Sequence, residues 1–75
     1  MNERELAEAF GLKLRQKRKK IGMTQNDLAD KAELTRVYIG LIERGATSIT
    51  LAKVYRLAAA LDCPVSELLP IVGEE

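Results

Sequence analysis

From Thr24 to Gly45 the chain reads TQNDLADKAELTRVYIGLIERG, and this stretch leaves few folds open. It holds two runs of helical apolar spacing, Leu28, Ala29 and Ala32 in the first, Ile39 and Ile42 in the second. Thr24 with Asp27 forms a capping box, Thr35 is the next N-cap, and Gly45 closes the second run. Between the runs, Lys31-Ala32-Glu33-Leu34 has room only for a helix end and a turn. Helices this short are marginal in water, so packing from the rest of the chain must hold them. The stretch predicts one helix from Gln25 to about Ala32 and a second between Thr35 and Gly45.

The flanking sequence reads as that packing. Asn2 and Glu5 form another capping box, opening a helix to about Ile21 whose apolar face is Leu6, Ala7, Phe10, Gly11, Leu14 and Ile21. Arg18 falls inside this arc, where a guanidinium must meet a carboxylate or leave the core by its stem, because an unpaired buried charge is costly. Gly22 supplies the left-handed residue that ends the helix. After a loop at Ala46 to Ile49, Thr50 caps a helix to Leu61 with Leu51, Val54, Leu57, Ala58 and Leu61 on one face. Asp62 suits a left-handed C-cap, Pro64 opens a last helical turn from Val65 to Leu69, and Pro70 stops it. The expected fold is all-α, five helices in one domain over residues 1–75, with no strand signal.

Composition narrows function by exclusion. There is no histidine, and Cys63 is the only cysteine, which excludes a disulfide framework and a structural zinc site and points to a reducing, cytoplasmic setting. Cys63 reads as a small buried hydrophobe. No nucleophile with an activating base and no metal cluster is present, so neither enzyme activity, a metal nor a cofactor is expected. No signal peptide or membrane span is found. The net charge is only +1, yet residues 13–20, KLRQKRKK, carry six of the twelve basic side chains, so the molecule should have one basic side. Alone, that run is equally a solvated helix face.

Two short helices joined by a tight turn match the helix-turn-helix unit, whose second helix lies in the DNA major groove. Arg36, Val37, Gly40, Leu41 and Arg44 occupy the arc opposite Ile39 and Ile42, with Tyr38 at its edge. Val37 and Leu41 there lack a core explanation. Arginine can bond guanine bidentately, valine can touch a thymine methyl, and glycine lets a backbone approach. The same pattern also fits an ordinary amphipathic helix with a solvated face.

Larger pieces carry a resemblance. R-x-x-x-G-M-T-Q-x-x-L-A (Arg18 to Ala29), T-R-x-Y-I-x-x-I-E-R-G (Thr35 to Gly45) and A-L-x-x-P-V-S-E-L-L (Ala60 to Leu69) resemble the phage-repressor and Cro-type helix-turn-helix family, of lambda-repressor-like fold. T-R-V-Y-I with I-E-R-G is also similar to the controller proteins of restriction–modification systems. The resemblance implies base contacts from the start of the second helix, Arg36 and Val37, with Gly40 on the same arc. It implies backbone contacts from Gln25, Thr35, Tyr38, Arg44, Thr47, Lys19 and Lys20, and a buried ion pair between Arg18 and Glu43. Asp27 and Asp30 form an acidic patch that is dipole-favoured surface on its own terms. By resemblance it is also a contact with RNA polymerase. Departures from the family pattern are Glu33 at a turn position usually held by glycine, Gly40 and Leu41 in place of polar residues, and Ile49 where proline is frequent.

The C-terminal stretch carries Val65, Leu68, Leu69, Ile71 and Val72, which either complete the core or form a twofold seam in a dimerisation region at about 62–75. Family members usually bind palindromes as dimers. The expected function is a homodimeric, sequence-specific transcription regulator on an inverted-repeat operator in double-stranded DNA. A restriction–modification controller, a phage-type repressor and a toxin–antitoxin autoregulator all fit. A helical protein-interaction module without DNA binding is the reading from another class.

Overall fold

Each helix starts by the same local chemistry, a short polar side chain accepting the backbone N–H three residues on. Asn2 accepts from Glu5 (2.8 Å), Thr24 from Asp27 (3.0 Å), Thr35 from Tyr38 (3.1 Å) and Thr50 from Lys53 (3.3 Å). These caps open α1 (Glu3–Lys20), α2 (Gln25–Ala32), α3 (Arg36–Glu43) and α4 (Leu51–Ala60). The computed structural model describes residues 1–71, so Val72 lies outside the described residues. Among them there is no strand, and no helix is long and apolar enough to cross a membrane.

The expected fifth helix is only a 3₁₀ turn, Val65–Glu67, giving four α-helices rather than five. The prolines explain the difference. Pro70 disfavours helical geometry at Leu69, and the window left after Pro64 is too short for a run of α-type hydrogen bonds.

α1 and α2 both pack on α3, and α2 also meets α4. Phe10, Leu14, Leu28, Ile39, Ile42, Val54, Leu57, Leu61 and Leu68 form the core between them. Three residues expected on apolar faces are instead exposed: Leu6, Ile21 and Leu51. Leu6 and Leu51 sit at helix beginnings that overhang the core. Ile21 has already left helical geometry as the C-cap of α1.

Glycine makes the α1–α3 contact possible. A Cβ at Gly11 would overlap the carbonyl oxygen of Ile42 and stand 2.8 Å from that of Glu43. At Gly45, which has φ +69°, a Cβ would lie 2.6 Å from the Cα of Glu8. α1 therefore runs directly over the C-terminal end of α3. Glu33 (φ 59°) and Asp62 (φ 54°) take the left-handed position without being glycine. Each is closed by a backbone bond, Leu34 N to Ala29 O (2.9 Å) and Cys63 N to Ala58 O (3.0 Å).

Candidate nucleic-acid interface

The exposed face of α3 is aimed by a polar network beneath it. Arg18 Nε donates to Glu43 Oε2 (2.6 Å) and Nη2 to Glu43 Oε1 (3.0 Å), while Nη1 donates to the Met23 carbonyl (2.8 Å). Gln25 Nε2 also donates to Glu43 Oε1 (3.1 Å). Hydrogen bonding to Glu43 raises the Arg18 pKa above its ordinary value, against the opposing effect of burial. Among the described residues, no buried side-chain polar atom lacks a partner. One network thus ties the end of α1, the start of α2 and the end of α3.

Above it, Arg36, Val37 and Arg44 face outward, Val37 with 68% of its surface exposed. Gly40 does not join them. It is buried, and the Arg44 guanidinium folds back so that Nη1 would stand 3.3 Å from a Cβ there. The missing side chain leaves room for Arg44. Leu41 is half-buried. Arg15, Gln25, Gly40, Glu43 and Arg44 line a cleft of about 320 Å³ at this edge of α3. Gln25 keeps a second amide N–H beyond the one given to Glu43.

On the other edge, Tyr38 is half-buried and Lys53 lies over it, its Nζ 4.6 Å from the ring centroid and 3.5 Å from the hydroxyl. Thr35 is exposed and acts as the α3 cap. The Thr47 hydroxyl donates to the Ser48 carbonyl (3.1 Å) within the loop before α4.

The basic run divides. Lys19 is one helical turn from Arg15 and shares its flank. Lys20 instead turns to a hollow with Lys13, Gln16, Lys17 and Glu67, where Lys17 and Glu67 form an ion pair of 2.9 Å. Asp27 is tied into the α2 cap, accepting from Thr24 N (3.0 Å), and these bonds lower its pKa; Asp30 is free on the surface.

At the C-terminal end, Leu68 is fully buried and Val65 packs against the core, so Leu68 cannot belong to an exposed seam. It packs in the core with side chains from all four helices. Leu69 (43% exposed) and Ile71 (88% exposed) face outward. Leu69 and Pro70 border an apolar groove of about 300 Å³ with Leu6, Phe10, Ile49 and Leu51. Cys63 is half-buried, and burial raises its thiol pKa.

Sequence reasoning left Arg15 in the basic run without a contact assigned to it, and passed over Lys53 and Arg56. Arg56 reaches from α4 to the turn between α2 and α3, where Nε donates to the Ala32 carbonyl (3.1 Å) and Nη2 to the Glu33 carbonyl (2.8 Å). Arg15 carried a signal, one turn before Lys19, but the Lys53 and Arg56 contacts cross helices and leave no periodic trace.

A family model described as helix-turn-helix matches residues 14–68. The chain is 39% identical over 61 residues to the control protein C.BamHI of Bacillus amyloliquefaciens, covering 80% of this chain and 75% of that protein. It is 40% identical over 62 residues to an uncharacterized HTH-type transcriptional regulator of Methanothermobacter thermautotrophicus, covering 83% and 90%. Among solved structures, the restriction-modification controller protein C.AhdI from Aeromonas hydrophila matches with a TM-score of 0.82 at 38% identity, over 84% of this chain and 96% of that one.

Proposed function

The chain belongs to the helix-turn-helix family, and from that membership we propose that it is a sequence-specific transcription regulator reading an inverted-repeat operator as a homodimer. The observation that carries this reading is the outward face of α3, with Arg36, Val37 and Arg44 displayed over a network in which, among the described residues, no buried side-chain polar atom lacks a partner. A helix of this kind fits the major groove, about 12 Å wide, where every base pair is distinguishable. Arg36 and Val37 read bases from the first turn. Gln25, Arg44, Arg15, Lys19, Thr35 and Tyr38 hold the phosphates on either side, with Lys53 beside Tyr38 and Thr47 in the following loop.

With controller proteins among its relatives, the role we favour is that of a restriction–modification controller, activating and limiting its own operon, with Asp30 on the α2 surface as a polymerase contact. The dimer surface is the exposed apolar set, Leu69 and Ile71 with the groove edge at Leu6 and Leu51. One helix-turn-helix covers a single half-site, so two copies match a palindrome.

Selection from random duplexes at fixed salt tests this reading. An inverted repeat is the expected product, and Arg36→Ala should cost roughly 1–3 kcal/mol of operator binding while relaxing preference at one base position per half-site. Recovery of no motif would overturn the regulator reading in favour of a protein-interaction module.

A further inference from the structure

α3 is pinned at its C-terminal end by Arg18 through Glu43. Its N-terminal end carries the exposed Arg36 and Val37 and hangs from the turn at Glu33 and Leu34. That turn is the weak link, because Glu33 adopts φ 59° and ψ 44°, a backbone conformation that L side chains rarely take. The last carbonyls of a helix also lack intrahelical partners. Arg56 answers both needs. Its planar fork bonds the carbonyl preceding Glu33 and the carbonyl of Glu33 itself, at 3.1 and 2.8 Å. The relative direction of those two oxygens is set by the φ and ψ of Glu33, so a rigid fork across both holds the pair of angles. Its charge also faces the negative end of α2, whose own last turn supplies only Lys31.

Asp62 provides an internal comparison. It is the other non-glycine left-handed cap, with φ 54° and the same closing bond pattern, yet no side chain donates to its carbonyl or its neighbour's among the described residues. The Asp62 turn leads only to the 3₁₀ segment, whereas the Glu33 turn leads into the outward face of α3.

We infer that Arg56 is a positioning residue for operator reading: from α4 it sets the turn that aims the first turn of α3, without touching a base. The inference rests on the DNA-binding reading above and deepens it.

The test compares the ratio of operator to random-duplex affinity, at one salt concentration and well below each variant's melting temperature. Arg56→Ala should lower that ratio roughly tenfold, and Arg56→Lys by a similar factor, because a single ammonium cannot span both carbonyls. Glu33→Gly should keep the wild-type ratio, and adding Arg56→Ala to it should change the ratio by no more than about twofold, since glycine takes the left-handed conformation unaided. Equal loss of operator and random-duplex binding in Arg56→Ala would make Arg56 a simple charge contact and overturn the inference. An undiminished Arg56→Ala effect in the Glu33→Gly background would do the same. If Arg56→Ala alone does not fold, the double variant read against Glu33→Gly still decides. Wild-type protein that selects no operator would sink the regulator reading itself, an outcome distinct from both.

Discussion

α1 contributes to two surfaces that end in opposite conditions. Along Glu8, Gly11 and Arg18 it closes on α3, with no space for a Cβ and every buried polar atom answered. Along Leu6, Ala7 and Phe10 it borders a groove whose other walls are Ile49, Leu51, Leu69 and Pro70, and much of that apolar surface stays open. The closed seam requires backbone approach at glycine and a carboxylate matched to a guanidinium, both available within one chain. The open groove has apolar walls but no further element of the same chain among the described residues to lay on them. A seam sealed from inside positions α3; a surface left unsealed suits a second copy.

Opening the seam should have the largest effect. Glu43→Ala leaves Arg18 buried with only the Met23 carbonyl as a partner, and should cost roughly 3–5 kcal/mol in urea or thermal unfolding. A melt matching the wild type would mean the seam does not depend on the pair.

The groove should respond in the other way. Leu69→Asp and Ile71→Asp place charge on exposed positions, so the fold should hold within about 0.5 kcal/mol while the proposed dimer dissociates and operator affinity falls. Sedimentation at several concentrations checks this, and a dimer surviving both changes would move the interface away from the groove.

The smallest effect separates α2 from the seam. Asp27 has a lowered pKa through its hydrogen bonds with Thr24, so its folded form prefers the charged state. Its contribution is fully present above the ordinary carboxylate value, about 3.9, and is lost as pH falls through the lowered one. Stability curves of wild type and Asp27→Ala should therefore differ at neutral pH and converge in acid. Curves that stay parallel would place the acid sensitivity elsewhere.

The interface was legible in the sequence only in part. Arg36 and Val37 stand on the outward arc where helical periodicity and the family resemblance put them. Gly40 keeps its place on that arc but is buried, with the Arg44 guanidinium close beside it at the edge of a cleft. Lys19 and Lys20 look alike as adjacent basic residues, but the angular step between them sends Lys20 toward Glu67. Leu68 and Leu69 are likewise adjacent and identical in type, yet one is sealed in the core and the other is open.

Features with a range of three to five residues were determined by the sequence alone: four side-chain caps, the left-handed stops after α1, α3 and α4, and the apolar stripes that require an all-helical core. Their causes are local, since a cap and the N–H it accepts lie on one helical turn. Tertiary structure alone decided which carbonyls Arg56 bonds and where Lys53 rests. The sequence already demanded a partner for Arg18, and the approach of α1 to α3 at Gly11 is what brings Glu43, 25 residues away, within reach. Those contacts join residues far apart in the chain, and their geometry exists only once the helices have packed.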